Sequence, residues 1–195
     1  MVFLPTLPRL EDKPDYLLPA APFAACCLWR PVLPSYRSGM RHWLIKSEPE
    51  VFSIEDLRRV KRERWDGVRN YQARNFMRDD MEAGDLALFY HSNATPPGVA
   101  GIARVASAPY PDPTQWDPAS EYFDQKASTE NPRWVLVDFE FVAAFDQLVP
   151  LETLKADAQL EGMPALRKGN RLSITPVEEG HFRRVCRLGG WKMPG

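Results

Sequence analysis

The sequence predicts an α+β domain built on a small curled sheet or pseudo-barrel of mostly antiparallel strands with short flanking helices. Three observations support this fold class. A strand-like segment comes first, two helix-like segments follow it, and several strand-like segments with short helices complete the chain. With 195 residues, of which 44% are hydrophobic, the chain suits one globular domain with a substantial core.

The first half of this domain contains one strand and two helices. The strand covers residues 42–46. Ser53 is a natural helix N-cap, and Asp56 completes a capping-box-like pair with it. A second helix is predicted over residues 70–83, with Gly84 in the position of a C-terminal stop. The apolar residues that share one face of this helix are Ala73, Phe76, Met77 and Met81.

The second half is mainly strands. They are predicted over residues 85–91, 99–106, 134–145 and 171–175. Short helices are expected around residues 151–158 and 181–187. Between the strands lies a segment, residues 109–132, that is rich in Pro, Asp, Ser and aromatics, and loops of that length tend to be functional.

Residues 1–39 look different from the rest. They have no amphipathic period and are interrupted by Pro5, Pro8, Pro14, Pro19, Pro22, Pro31 and Pro34. We therefore expect a disordered N-terminal extension. Met40 directly precedes the first strand, so we expect the natural chain to start there, with the domain over residues 40–190 and a tail over 191–195.

The composition limits the class of protein. The net charge is −1 and the pI about 6.3, so no global basic field draws the chain to nucleic acid and any such contact must be local. Cys26, Cys27 and Cys186 cannot form a disulfide framework, which favours a reduced, cytoplasmic protein. No apolar run is long enough to span a membrane. The histidines lack metal-ligand spacing and no phosphate-cradling glycine loop is present, so we expect neither metal nor cofactor.

Polar residues follow two predicted strands. The first group is Lys46, Ser47 and Glu48, which on its own is better interpreted as a surface turn with a Lys–Glu pair. The second group is Tyr90, His91, Ser92 and Asn93. Neighbouring strand residues point to opposite faces, so His91 and Ser92 make a poor hydrolase triad.

Residues 65–75 hold the densest base-reading chemistry. Aromatic rings can stack on bases, amides match base edges, and arginines with a helix start suit phosphate. Taken together, Trp65, Tyr71, Gln72 and Arg74 favour a pocket. For Asn70 a simple N-cap role is an equal alternative. The loop over residues 110–118, together with Tyr122, Phe123 and residues 132–134 after it, is either a lid over a stacked ligand or a segment that buries aromatics to hold itself down.

These segments resemble the EVE-domain family of the PUA-like superfamily. The resemblance rests on residues 43–49, 65–75 and 89–93, is extended by 111–114 and 132–134, and runs from about Met40 to Leu188. It implies a PUA-like pseudo-barrel and a pocket for a modified base, namely a flipped-out methylated or oxidised cytosine in DNA, with modified RNA as the alternative. The implied pocket residues are Lys46, Ser47, Glu48, Trp65, Asn70, Tyr71, Gln72, Arg74, Tyr90, His91, Ser92 and Asn93. Arg74, with Arg69, would hold the backbone.

Other functions remain open at this stage. A small enzyme acting on a nucleobase or nucleotide would use Glu48 or His91 as general acid or base. A scaffolding domain would bury the aromatics in its core. A free modified nucleoside is a third ligand class. We expect a non-catalytic reader that acts through an effector protein, and the sequence leaves its oligomeric state open.

Overall fold

The structure is a computed structural model that describes residues 39–192. The extension predicted for residues 1–39, with Cys26 and Cys27, lies outside the described residues apart from Gly39, as does the tail beyond Lys192. Within the described range the strands are β1 (His42–Ser47), β2 (Arg62–Arg64), β3 (Leu86–His91), β4 (Gly98–Val105), β5 (Tyr110–Pro111), β6 (Val135–Leu136), β7 (Asp138–Pro150) and β8 (Ile174–Val177). The helices are α1 (Ile54–Val60), α2 (Tyr71–Asn75, continued by a π-helical turn over Phe76–Asp80), α3 (Leu151–Ala156) and α4 (Glu179–Leu188).

The main sheet has the strand order β2-β7-β4-β3-β1-β8. β1 pairs with β3 in parallel, and every other pair in this sheet is antiparallel. β5 and β6 form a separate two-stranded antiparallel sheet. The α+β class and the mostly antiparallel curled sheet with short helices are therefore confirmed.

Both faces of the main sheet are buried. Trp43 and Phe89 belong to a core that also contains residues of α1 and α2. Leu44 and Leu88, their neighbours in sequence, belong to a second core with residues of α3 and α4. Because successive strand residues point to opposite faces, each strand supplies both cores.

The start of α1 follows its sequence signature. Asp56 N donates to Ser53 Oγ at 3.1 Å, and Ser53 N donates to Asp56 Oδ2 at 2.9 Å. The predicted capping box is therefore confirmed. α2 departs from the prediction at its other end, since the helix stops at Asp80 rather than at residue 83. Met81 is already extended, with φ −80° and ψ 136°, so the chain turns early toward β3.

Several other boundaries also differ. The strand predicted over residues 134–145 is divided at Val137 into β6 and β7, and β7 continues to Pro150. The strand predicted at residues 171–175 begins only at Ile174, because Asn170 Oδ1 accepts the N–H of Leu172 at 2.9 Å and keeps that stretch in a turn. β2 was not predicted, since its Arg-Glu-Arg sequence has no apolar alternation. The predicted helix over 151–158 ends at residue 156.

Three findings concern the chemistry of the described chain. Among residues 39–192, no helix combines the length and apolarity needed to cross a membrane. The same residues contain no cluster of His, Cys, Asp and Glu side chains suited to a metal ion. Cys186 is a buried free thiol, and burial raises its pKa to about 12.

Candidate functional site

The parallel strands β1 and β3 end at the same edge of the sheet, so the polar residues that follow them meet. Ser47 lies opposite His91 in the register. Ser92 N donates to Ser47 O at 2.8 Å, and Asn93 Nδ2 donates to Glu48 Oε1 at 2.7 Å. The structure thus brings two separate sequence motifs into one place.

The N-terminus of α1 closes this group from one side. Ser47 Oγ donates to Phe52 O at 2.7 Å, and the N–H of Ile54 donates to His91 Nε2 at 3.1 Å. Ile54 is the first residue of α1, so its N–H has no acceptor within the helix. His91 therefore acts as an additional cap of α1.

Trp65 is linked to this group through Phe89. Its ring lies nearly perpendicular to Phe89, at 5.7 Å between centroids, and to Phe139, at 5.4 Å. Phe89 also meets His91 edge-on at 5.7 Å. These contacts fix the orientation of the indole, of which part stays exposed. We call Ser47, Glu48, Trp65, His91, Ser92 and Asn93 the strand-end cluster.

Lys46 and Tyr90 lie on the opposite face of the sheet. They are partners in the β1–β3 register, one position before Ser47 and His91, and the alternation of strand side chains sends them the other way. With Leu44 they line a cavity of about 260 Å³ on the α3 side. The structure therefore separates these two predicted site residues from the strand-end cluster by the thickness of the sheet.

A second group of predicted residues forms where α2 meets the segment before β6. Tyr71 stacks on Trp134 with centroids 4.9 Å apart and 25° between the ring planes. The Arg74 guanidinium lies 4.8 Å from the Tyr71 ring centroid, and its Nη1 donates to Arg133 O at 2.9 Å. Arg133 Nη2 donates to the Tyr71 hydroxyl. We call Tyr71, Arg74, Arg133 and Trp134 the arginine–aromatic cluster.

Sequence analysis left Arg133 and Trp134 out of the site. Two signals pointed to them, namely the family resemblance at residues 132–134 and an Arg-Trp pair that closes a long aromatic loop just before a strand. Asn70 is also clarified, since its Oδ1 accepts from the N–H groups of Gln72 at 2.9 Å and Ala73 at 3.1 Å, so its N-cap role is confirmed. Gln72 is exposed on the first turn of α2.

The long segment between β4 and β6 is fastened at its base. Arg69 Nη1 donates to Asp112 Oδ2 at 2.7 Å. The buried Gln115 accepts with its Oε1 from the N–H groups of Arg133 at 2.9 Å and Trp134 at 3.0 Å, which draws the two ends of the loop together. Arg69 is thus engaged in holding this loop, and its side chain is 21% exposed.

His91 leads to an expected pH dependence of stability. Burial lowers the pKa of His91 below its ordinary value of about 6.5, and its Nε2 accepts a hydrogen bond only while the ring is neutral. As pH falls, the unfolded chain takes up this proton before the folded chain does. The stability contributed by neutral His91 is therefore complete above about pH 6.5 and is lost as pH falls below it.

The His91→Gln variant tests this dependence, because its amide oxygen can still accept the Ile54 N–H. We expect the drop in unfolding free energy between about pH 7.5 and 5.5, measured by urea unfolding, to become smaller in this variant. Burial also lowers the pKa of His42, so His42→Gln should remove a separate part of the drop. A full, wild-type pH profile in His91→Gln would show that the proposed coupling is absent.

Comparison with known proteins gives independent information. The family described as EVE domain matches residues 41–188. Human thymocyte nuclear protein 1 is 41% identical over 165 aligned residues, covering 75% of this chain and 73% of that protein. A crystal structure from Pseudomonas syringae has a TM-score of 0.73 and 49% identity, covering 76% of this chain and 99% of its own. The human protein, THYN1, solved in complex with 5-methylcytosine-containing DNA, has a TM-score of 0.72 and 40% identity, covering 79% of this chain and 99% of its own.

Proposed function

This chain belongs to the EVE domain family, and on that premise we propose that it is a non-catalytic reader of modified cytosine in DNA. The observation that carries the proposal is its likeness to human THYN1 in complex with 5-methylcytosine-containing DNA, at 40% identity over 99% of that chain. The strand-end cluster is our candidate for the base site.

The strand-end cluster supplies groups that suit a cytosine. The partly exposed Trp65 offers an aromatic surface, and stacking contributes roughly 1–3 kcal/mol per base. A carboxylate such as Glu48 accepts from the exocyclic amino group of cytosine, and the Asn93 amide offers both a donor and an acceptor. Glu48 and Asn93 are exposed and bonded to each other, so a bound base would exchange one hydrogen bond for another.

A base in a duplex reaches such a cluster only by leaving the helix. Flipping costs a few kcal/mol, which stacking on Trp65 and hydrogen bonds to the base edge can offset. A 5-methyl group adds apolar surface that becomes buried in the site, at roughly 0.8 kcal/mol for each such carbon. Base flipping is therefore part of the proposal.

The arginine–aromatic cluster is our candidate for holding the sugar–phosphate backbone. Arg74 is positioned by Tyr71 and Trp134, and Arg133 by Tyr71, so little side-chain freedom would be lost on binding. Because the net charge is only −1, unmodified duplex should bind weakly and specificity should depend on the base site.

Contacts at the strand ends favour binding over catalysis. His91 Nε2 is occupied by the N–H of Ile54, and Ser92 Oγ donates to Ser47 O at 3.2 Å. A general base needs a free lone pair directed at its substrate or nucleophile. His91 is thus not poised to activate Ser92.

The proposal is tested by measuring the affinity of the full chain for matched duplexes with cytosine or 5-methylcytosine, and for RNA with the same sequences. We expect wild type to prefer the methylated duplex about fourfold, which corresponds to the roughly 0.8 kcal/mol of one buried methyl carbon. Trp65→Leu should lose most of this preference. Trp191→Leu, the same change in a partly exposed tryptophan that packs on the opposite core, should keep it.

Four outcomes would count against the proposal. Equal affinity for methylated and unmodified DNA would remove the reader function, and a preference for modified RNA would change the ligand. A full preference in a folded Trp65→Leu variant would move the base site elsewhere. Formation of any altered base, detected by mass spectrometry, would contradict the non-catalytic assignment.

A further inference from the structure

The cavity on the α3 side of the sheet has a chemistry that base reading does not use. Its volume is about 260 Å³, just below the roughly 300–1,000 Å³ of most small-molecule sites. Its cationic lining residues are Lys46, Lys155, Arg167 and Lys168, and none of its lining residues is acidic. A cavity of this size and charge suits a compact anion.

Lys46 is the group in this cavity that most needs a counter-ion. Its side chain is half-buried, and its Nζ reaches the carbonyl oxygen of Asn170 at 3.5 Å. In the described part of the chain, none of the ion pairs involves any of the four cationic residues of this cavity. Burial lowers the pKa of Lys46, because its ammonium has lost water without gaining an opposite charge.

The rim of the cavity is shaped before any ligand arrives. Asn170 Nδ2 donates to Pro164 O at 2.8 Å, and Asn170 Oδ1 accepts from the N–H of Leu172 at 2.9 Å. Gly169 has φ +82°, in the left-handed region that favours glycine. Arg167 and Lys168 directly precede this glycine, so a pinned turn presents both of them to the cavity.

We propose that this cavity is a phosphate site, and that the phosphate belongs to the nucleic-acid strand whose base enters the strand-end cluster. Lys46 and Tyr90 come directly before Ser47 and His91 in β1 and β3, so the cavity and the cluster lie on two faces of the same strand ends. A strand that passes over this edge can present a base to one face and a phosphate to the other. That the phosphate belongs to a nucleic-acid strand rests on the proposed function. That the cavity binds phosphate does not, because it follows from the charges of the lining residues.

Tyr90 adds a neutral donor to the cavity. Burial raises the pKa of Tyr90, so its hydroxyl keeps its proton at neutral pH. A phosphate oxygen could then accept from this hydroxyl and from the Lys46 ammonium on the same wall of the cavity. Arg167 and Lys168 would contact the phosphate from the rim.

The test is the salt dependence of DNA binding by the full chain. Lys46→Met removes one charge and keeps most of the aliphatic stem, and Arg167→Ala/Lys168→Ala removes the rim charges. The slope of log K against log salt should fall by about one for the first variant and by about two for the second, with roughly tenfold or greater loss of affinity at low salt. Lys61→Met, an exposed lysine beside the far edge strand β2, should keep the wild-type slope.

Titration with inorganic phosphate and with deoxycytidine monophosphate, followed by ³¹P NMR, separates the two sources of phosphate. If the variants lose phosphate binding but keep the DNA slope, the site takes a free phosphate and not a strand. If the folded variants keep both, the phosphate site is wrong. If wild type shows no methyl preference while the slopes still fall, the reader function fails and the phosphate site stands.

Discussion

Replacing Asp112 with alanine is expected to lower the free energy of unfolding by about 3–5 kcal/mol, the typical cost of removing one partner of a buried ion pair. The Asp112 side chain is only 1% exposed. It accepts from Arg69 Nη1 at 2.7 Å, from Gly67 N at 3.1 Å and from Thr114 N at 2.8 Å. Burial by itself would raise its pKa, but the hydrogen bonds from Arg69 and Thr114 outweigh burial and hold the pKa below its usual range.

The expected loss of stability comes from the groups that lose their partner when the carboxylate is removed. Without the Asp112 carboxylate, the Arg69 guanidinium would stay partly buried without its counter-ion, and the loop between β4 and β6 would lose its anchor. Denaturant unfolding of wild type and variant would measure the change in unfolding free energy, provided that the two proteins have equal m-values. Asp117→Ala is the matched control, because Asp117 lies on the same loop, is exposed and accepts from Ala119 N at 2.9 Å. Similar losses of unfolding free energy in the two variants would contradict the role of Asp112 as the anchor of this loop.

The second large effect is expected at Gly101. This residue lies in β4, where the register with β7 shifts. An added Cβ would overlap the carbonyl oxygen of Ala143 and would come within 2.8 Å of Ile54 Cγ1. Backbone atoms of a neighbouring strand cannot move aside cheaply, so Gly101→Ala should destabilise the fold by about 3 kcal/mol, the upper part of the range for overpacking.

Gly180 provides the matched control for this substitution. It lies in the first turn of α4, and a Cβ added there would meet nothing within 4 Å. Gly180→Ala should therefore stabilise the protein by roughly 0.5–1 kcal/mol, through helix propensity and reduced freedom of the unfolded chain. If the space around the added Cβ decides the effect, thermal unfolding should show a lower melting temperature for Gly101→Ala and a higher one for Gly180→Ala. A neutral Gly101→Ala would mean that β4 and β7 can separate more easily than their register suggests.

Local signals in the sequence predicted the local structure well. The Ser53 capping box and the Asn70 N-cap each depend on side chains two or three residues from the groups they satisfy, so a pattern can reveal them. The end of α2 was missed because apolar periodicity continues through Met81, although the backbone there is already extended. A contact from outside the helix sets where α2 ends, since Asp85 Oδ2 accepts the N–H of Glu82 at 3.1 Å.

The site was harder to predict because its assembly depends on distant pairing. Ser47 and His91 meet only because β1 pairs with β3 in parallel, across 44 positions of sequence, and no local pattern specifies that partner. The alternation of side chains along a strand could have placed Lys46 and Ser47 on opposite faces in advance. The role of Arg69 could not be foreseen, since its acceptor Asp112 lies on an irregular loop.

Gln115 also has an evolutionary consequence. Its side-chain amide donates to Asp112 O at 2.7 Å and to Trp134 O at 2.9 Å, so the two ends of the loop are joined directly and do not depend on the stretch beyond Asp124. Closing a longer loop costs only about 0.6 kcal/mol for each doubling of its length. Insertions and deletions between residues 125 and 131 should therefore accumulate among relatives. Gln115, Asp124 and the residues of both clusters should keep their places, because Asp124 holds Arg133 and Trp134.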